Sequence, residues 1–242
     1  MKAFSMPLIQ AMASKGEIII LLIDQTTAGN GDEILMLSLR FGNRALPVLW
    51  HVEKTKGNIG FTAQKEMLDE IQNVLPEKSK VVLMGDRFYG TVNLINYCNQ
   101  QSWDYRLRLK GNTRIQILSE NIAAEEIMKG KEKFIQNAFL ATSGTRVNLG
   151  FIHEEGHEEP WIIAMSKSAD YYKTLDYGMR WSIEAMFSDF KSRGFGLENT
   201  QMRYSERLSR LILVMSLAIY IAVATGLWEE ENKALPMEKK SA

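Results

Sequence analysis

The stretch Glu17-Ile18-Ile19-Ile20-Leu21-Leu22-Ile23-Asp24 decides how the rest of the chain is read. Its aliphatic run has no polar alternation, which describes a strand covered on both faces, as in the middle of an α/β sheet. Lys80 to Gly85 (KVVLMG) is a second such run and ends the same way, at Asp86. Between them, Glu33 to Phe41 and Ala45 to Val52 are strand-like and joined by Gly42-Asn43, a hairpin signal. With the first run they predict a three-stranded antiparallel meander.

Working outward, Met67, Leu68, Ile71, Val74 and Leu75 recur at helical spacing from Thr62 to Leu75, and Pro76 stops that helix. Thr91 to Gln101 is a second helix, with Cys98 in its core face. Trp103 to Leu109 alternates as a half-buried strand. Phe134 to Thr142, Thr145 to His153 and Trp161 to Met165 are further β-runs, read as an all-β insertion at about 115–168. A long helix is expected from about Tyr171 to Arg193. The expected division is a remnant segment at 1–16, a catalytic domain at 17–228 and a disordered tail at 229–242.

The 242 residues suffice for one large domain. Twenty-nine basic and twenty-nine acidic side chains cancel, so any nucleic-acid contact must come from local clusters. A single cysteine excludes a disulfide framework and fits a reducing, cytoplasmic setting. Leu211 to Trp228 carries no charge and reaches the lower limit for a membrane span. Its Ser216, Thr225 and Gly226 favour a buried core helix, and no membrane partner is expected.

Asp24 and Asp86 each follow an apolar strand. Alone, an aspartate there is commonly a turn former. As a pair at equivalent strand ends they open onto one crevice, where a divalent cation would relieve their repulsion. On the late helix, Tyr177, Arg180, Glu184 and Lys191 fall within roughly 60° of arc at about 100° per residue. Met179, Ile183, Met186, Phe187 and Phe190 occupy the adjoining apolar arc. An ordinary solvated face with an Arg180–Glu184 ion pair is the plainer reading of that line, and the two strand-end aspartates weigh against it.

Tyr177-x2-Arg180-x3-Glu184-x6-Lys191 resembles the YREK signature of bacterial insertion-sequence DDE transposases. Ile23-Asp24-Gln25-Thr26-Thr27 and Gly85-Asp86-Arg87-Phe88-Tyr89-Gly90 resemble the surroundings of that group's two aspartates. Phe88 stands where the group often has Gly or Ala. The similarity runs from about Glu17 to Trp228 and implies a ribonuclease H-like mixed α/β sheet flanked by helices, with an all-β insertion before the helix bearing the glutamate. It also implies two Mg²⁺ or Mn²⁺ ions held by Asp24, Asp86 and Glu184, and phosphodiester hydrolysis followed by strand transfer. Tyr177, Arg180 and Lys191 would touch backbone phosphates of transposon-end and target DNA, in a possible homodimer and, when on DNA, at the nucleoid. From the charge pattern, Arg106, Arg108 and Lys110 form a basic ribbon for the same partner.

Only about sixteen residues precede the first strand, so the chain is expected to lack an N-terminal DNA-docking region. Two readings follow: an active truncated transposase, or a silent remnant or inhibitor that binds DNA or dimerises. A distant rival is a membrane metalloprotease, because His153-Glu154-Glu155-Gly156-His157 fits H-E-x-x-H. Zinc chemistry needs that motif on a helix, whereas Gly156, Pro160 and the flanking β-runs describe a charged turn. Trp161 could stack on an extruded base, but a strand tryptophan is more often core.

Overall fold

The computed structural model describes residues 2–29, 31–128, 130–153 and 159–232. The elements run α1 (Lys2–Ser14), β1 (Ile18–Thr27), β2 (Glu33–Phe41), β3 (Arg44–Glu53), α2 (Phe61–Gln72), β4 (Lys80–Gly85), α3 (Val92–Gln100) and β5 (Asp104–Arg108). Next come β6 (Arg114–Ile117), β7 (Glu120–Ala123), α4 (Ala124–Ile127), β8 (Glu132–Leu140), β9 (Thr145–Ile152) and β10 (Trp161–Met165). The chain continues with α5 (Tyr171–Leu175), a 3-10 segment (Asp176–Arg180), α6 (Trp181–Phe190), a short 3-10 turn (Leu197–Asn199) and α7 (Ser205–Asn232).

One sheet of ten strands has the order β3-β2-β1-β4-β5-β10-β9-β8-β6-β7. The meander is present: β1 pairs antiparallel with β2, and β2 with β3. β3 is the edge strand, so Pro47 does not interrupt a second ladder there. On its other side β1 runs parallel to β4, and β4 parallel to β5.

The β-rich stretch is hydrogen-bonded onto this core instead of standing apart, because β10 pairs antiparallel with β5. β6, β7 and α4 were not foreseen. Their segments are four residues long each, too short for periodicity to register.

The unbroken apolar reading of β1 is explained by layers on both faces. Ile19, Leu21 and Ile23 pack with Ile9 and Met12 of α1 and with residues of α2 and α3. Leu22 packs instead with Ile183, Met186, Phe187 and Phe190 of α6 and Leu208, Ile212 and Met215 of α7. The segment before β1 is thus a core-forming helix.

Three expectations about helices need correction. The helix predicted from Tyr171 to Arg193 is divided in three by the 3-10 segment, and it ends at Phe190. Three residues per turn in that segment place Tyr177 above Arg180 and break the single line of four. Lys191 lies past the end, its carbonyl accepting from Gly194 (3.2 Å) and Gly196 (2.9 Å).

Secondly, α7 is a core helix only in its first half. Leu208, Ile212, Met215, Ser216 and Ile219 are buried, whereas Val214, Ile221 and Trp228 are exposed. It is long and apolar enough to cross a membrane by length and composition, with 22% of its most apolar window buried. Thirdly, helix continues through Glu229 to Asn232, where a tail was expected. Residues 233–242 lie outside the described residues, as do positions 154–158 and with them most of the H-E-x-x-H pattern.

Candidate active site

The parallel pairing of β1 with β4 stops at Ile23 opposite Gly85. Beyond it β1 continues, paired only with β2, from Asp24 opposite Met36 to Thr27 opposite Glu33. β4 instead turns away through Asp86. The two strands part where their pairing ends, the position at which α/β sheets open a crevice, and Asp24 and Asp86 are the first residues past it. Ligands collect at such points in α/β sheets.

Each aspartate is pinned by local backbone. Asp24 Oδ1 accepts the Gln25 N–H at 2.8 Å, and Asp86 Oδ1 accepts the Phe88 N–H at 2.8 Å. The Asp86 carbonyl also takes the N–H groups of Tyr89 (2.9 Å) and Gly90 (3.2 Å). Asp86 is therefore a turn former as well as a candidate ligand.

That turn depends on two glycines. A Cβ on Gly85 would lie 2.7 Å from Cβ of Tyr89, and one on Gly90 would lie 2.0 Å from the carbonyl oxygen of Arg108. Gly90→Ala must push the Asp86 turn off β5. The expected outcome is a loss of about 2 kcal/mol in thermal melting, as in other overpacked sites, together with reduced activity.

From the other side, the 3-10 segment and α6 bring Arg180 and Glu184. Arg180 Nη1 donates to Asp24 Oδ2 at 3.0 Å, and Nη2 donates to Glu184 Oε1. The Arg180 side chain is 8% exposed, so one buried guanidinium spans two carboxylates from opposite walls. Burial works against its charge, but Tyr177, Asp24 and Glu184 outweigh that and hold its pKa above the usual value.

Burial pushes the Asp24 carboxyl up from 3.8 to about 6. The Gln25 N–H and Arg180 oppose this shift, and the charges of Asp86 and Glu184 add to it. Asp24 is thus within electrostatic reach of both other predicted carboxylates. Among the described residues, no group of three or more His, Cys, Asp or Glu side chains is placed closely enough to hold a metal ion. The positive charge between Asp24 and Glu184 is that of Arg180. Asp24 is raised chiefly by burial and only secondarily by its acidic neighbours, and carboxylate oxygens are hard donors of the kind that suits Mg²⁺ or Mn²⁺.

The remaining predicted residues divide. Tyr177 is buried, with its ring edge-on to Trp161 at 5.2 Å and beside the Arg180 guanidinium at 5.6 Å. Trp161 is itself core at 6% exposure, and it meets Trp181 edge-on at 5.5 Å.

Arg106 does not lie on an open basic ribbon. At 5% exposure it pairs with Asp104 (3.0 Å) and donates to the carbonyls of Lys173 (3.0 Å) and Tyr105 (2.8 Å). The α5 segment covers it, while Arg108, two residues on along the same face, stays accessible at 20% exposure. Lys110 stands over the Phe88 ring, 5.5 Å from its centroid.

Several contributors were not foreseen. Gln25 staples the crevice floor: its side chain donates to Glu33 (2.8 Å) and the Gly57 carbonyl (3.0 Å) and accepts from Ile59 N–H (2.9 Å). Tyr89 is buried close enough to Asp24 and Asp86 for both charges to raise its phenol pKa, after burial itself. A glutamine inside an apolar strand was the available signal for the first. Nothing local marks the second.

A mixed, doubly covered sheet with acidic side chains at the end of its parallel pairs defines the chain as an α/β domain. Residues 51–221 match a family described as the transposase DDE domain, and the chain belongs to that family. A comparison with curated proteins found no match. Membership supports a transposase function, action on DNA and general dependence on divalent metal ions. The matched span holds Asp86 and Glu184 but not Asp24.

Proposed function

We propose that the chain is the catalytic domain of an insertion-sequence DDE transposase of the YREK-signature group, with Asp24, Asp86 and Glu184 as its ligand set for two Mg²⁺ or Mn²⁺ ions. The observation that carries this reading is that buried Arg180 ties Asp24 to Glu184 at the end of the β1–β4 pairing, where Asp24 also feels the charge of Asp86. When bound, the ions would supply Lewis-acid activation of water or a 3′-hydroxyl and relief of charge on the leaving oxygen.

The chain's own groups do the rest. The backbone bonds to Asp24 and Asp86 fix one oxygen of each, and the second oxygen of Asp24 is held by Arg180. Arg180 is placed to hand its guanidinium fork from carboxylate to a phosphate flanking the cut. Tyr177 orients Arg180 from beneath, and Arg108, Lys110 and Lys191 are the accessible cations that hold backbone without reading sequence. Arg106 acts indirectly, anchoring the segment that precedes Arg180. Hydrolysis at a transposon end, followed by attack of the freed 3′-hydroxyl on target DNA, is the reaction this arrangement suits.

The test is nicking of supercoiled plasmid with Mn²⁺ by the wild-type chain and by Asp86→Asn. Metal-dependent nicking that falls on the order of a thousandfold in the variant is expected. Equal nicking by both proteins, or nicking that persists in EDTA, would overturn the reading.

A further inference from the structure

Next to the carboxylate centre, the ends of β4 and β5 carry a group of cations, Arg108 and Lys110 joined by Arg87, whose arrangement says more about how DNA backbone is held. One residue beyond the paired Gly85 and Leu107 stand Asp86 and Arg108. Arg87 and Arg108 reach toward the same carboxylate oxygen, Glu159 Oε2, at 2.8 and 3.5 Å. Arg108 also donates to the Pro160 carbonyl at 3.4 Å. Lys110, lying over exposed Phe88, completes the cationic side. These residues, with Gly111, Glu125 and Ile162, line a small notch of about 60 Å³. Tyr177 lies within electrostatic reach of Arg108, Arg180 and Asp86 alike, so the notch adjoins the carboxylate crevice.

We propose that this notch is a subsite for one backbone phosphate of the DNA strand that reaches the crevice, and that the Glu159 carboxylate fills it in the free protein. Two guanidinium groups from neighbouring strands converging on one oxygen form an anion site, and planar forks of this kind suit phosphate as well as carboxylate. Glu159 is 62% exposed and sits in the link between β9 and β10, outside either strand. Exposed pairs of this kind are weak, so a phosphate can displace Glu159 without undoing any packing. Glu159 thereby acts as an internal competitor that disfavours loosely placed DNA.

The inference rests on the DNA-processing reading above and has its own test, because binding can be measured without metal or cleavage. Fluorescence anisotropy in EDTA with a labelled duplex of about 30 base pairs, at salt from about 50 to 200 mM, gives affinity and salt slope. Glu159→Gln is expected to tighten binding about fivefold at the lowest salt. Arg87→Ala and Arg108→Ala are each expected to weaken it severalfold and to reduce the slope of log K against log salt by about 1. The gain from Glu159→Gln should vanish in the Arg87→Ala/Arg108→Ala background. Glu77→Gln, an equal charge change at the opposite strand ends, should shift affinity far less. A gain that persists without the two arginines, or one matched by Glu77→Gln, overturns the subsite. Binding by wild type with a flat Glu159→Gln response overturns the subsite alone. No salt-dependent DNA binding by wild type overturns both this inference and the proposed function.

Discussion

Asp24→Asn is expected to abolish nicking while making the metal-free protein more stable at pH 8. Burial raises the Asp24 carboxyl from 3.8 to about 6, so the folded chain holds that proton more tightly than the unfolded chain. The stability contributed by the protonated group is complete below about pH 4 and is lost as pH rises through about 6. At pH 8 in EDTA the wild-type chain therefore carries a penalty of roughly 3 kcal/mol for a buried, ionised carboxylate, and asparagine removes it. For a chain of this size that corresponds to a rise of about 8 °C in Tm at pH 8, shrinking toward zero at pH 4. Mn²⁺ should raise the Tm of wild type and leave the variant nearly unmoved. Melting curves at the two pH values with and without Mn²⁺ read all three effects. A variant less stable than wild type at pH 8 would show that Asp24 is a structural anion, held mainly for Arg180.

The second large effect is expected from Arg180→Met. This change removes the one guanidinium that bridges Asp24 at 3.0 Å and Glu184, and it leaves Asp24 at 16% exposure without its cation. Removing one partner of a buried pair costs about 3 kcal/mol or more, because the other charge stays desolvated. A fall in Tm of about 8 °C in EDTA is expected, with much of it restored by Mn²⁺. Asp24→Asn/Arg180→Met should be more stable than Arg180→Met alone, since the orphaned charge is then gone. Arg180→Lys should recover part of the stability and little of the nicking, because an ammonium cannot fork between two carboxylates. If Arg180→Met melts like wild type, the bridge is not what holds α6 over the crevice.

Much of this site was legible before any fold was known. β1, β4 and β5 announce themselves because a strand covered on both faces, or an alternating one, leaves its burial directly in the residue pattern. Asp24 and Asp86 stand out because each breaks an apolar run. The Arg180–Glu184 ion pair belongs to the plainer reading of that helix face, which the two aspartates weigh against, and it is present. Arg106 shows where such reading stops. Arg106 and Arg108 share a strand face, but the first is sealed by α5 and Asp104 while the second stays open. The difference is set by a segment more than sixty residues later in the chain, through the bond from Arg106 to the Lys173 carbonyl.

The sequence by itself determined the elements whose cause is local: the apolar strands, the Gly42-Asn43 hairpin, the starts of α2, α3 and α5 and the acidic positions in strand and helix. Side-chain period and turn chemistry act over a few residues and are written wherever they act. Tertiary structure decided what depends on neighbours from elsewhere. It divided the helix after Tyr171, enlarged the sheet to ten strands, left half of α7 exposed and set Arg180 between Asp24 and Glu184. The physical reason is that burial and charge pairing are properties of the assembled surroundings, and those form only when distant segments close on one another.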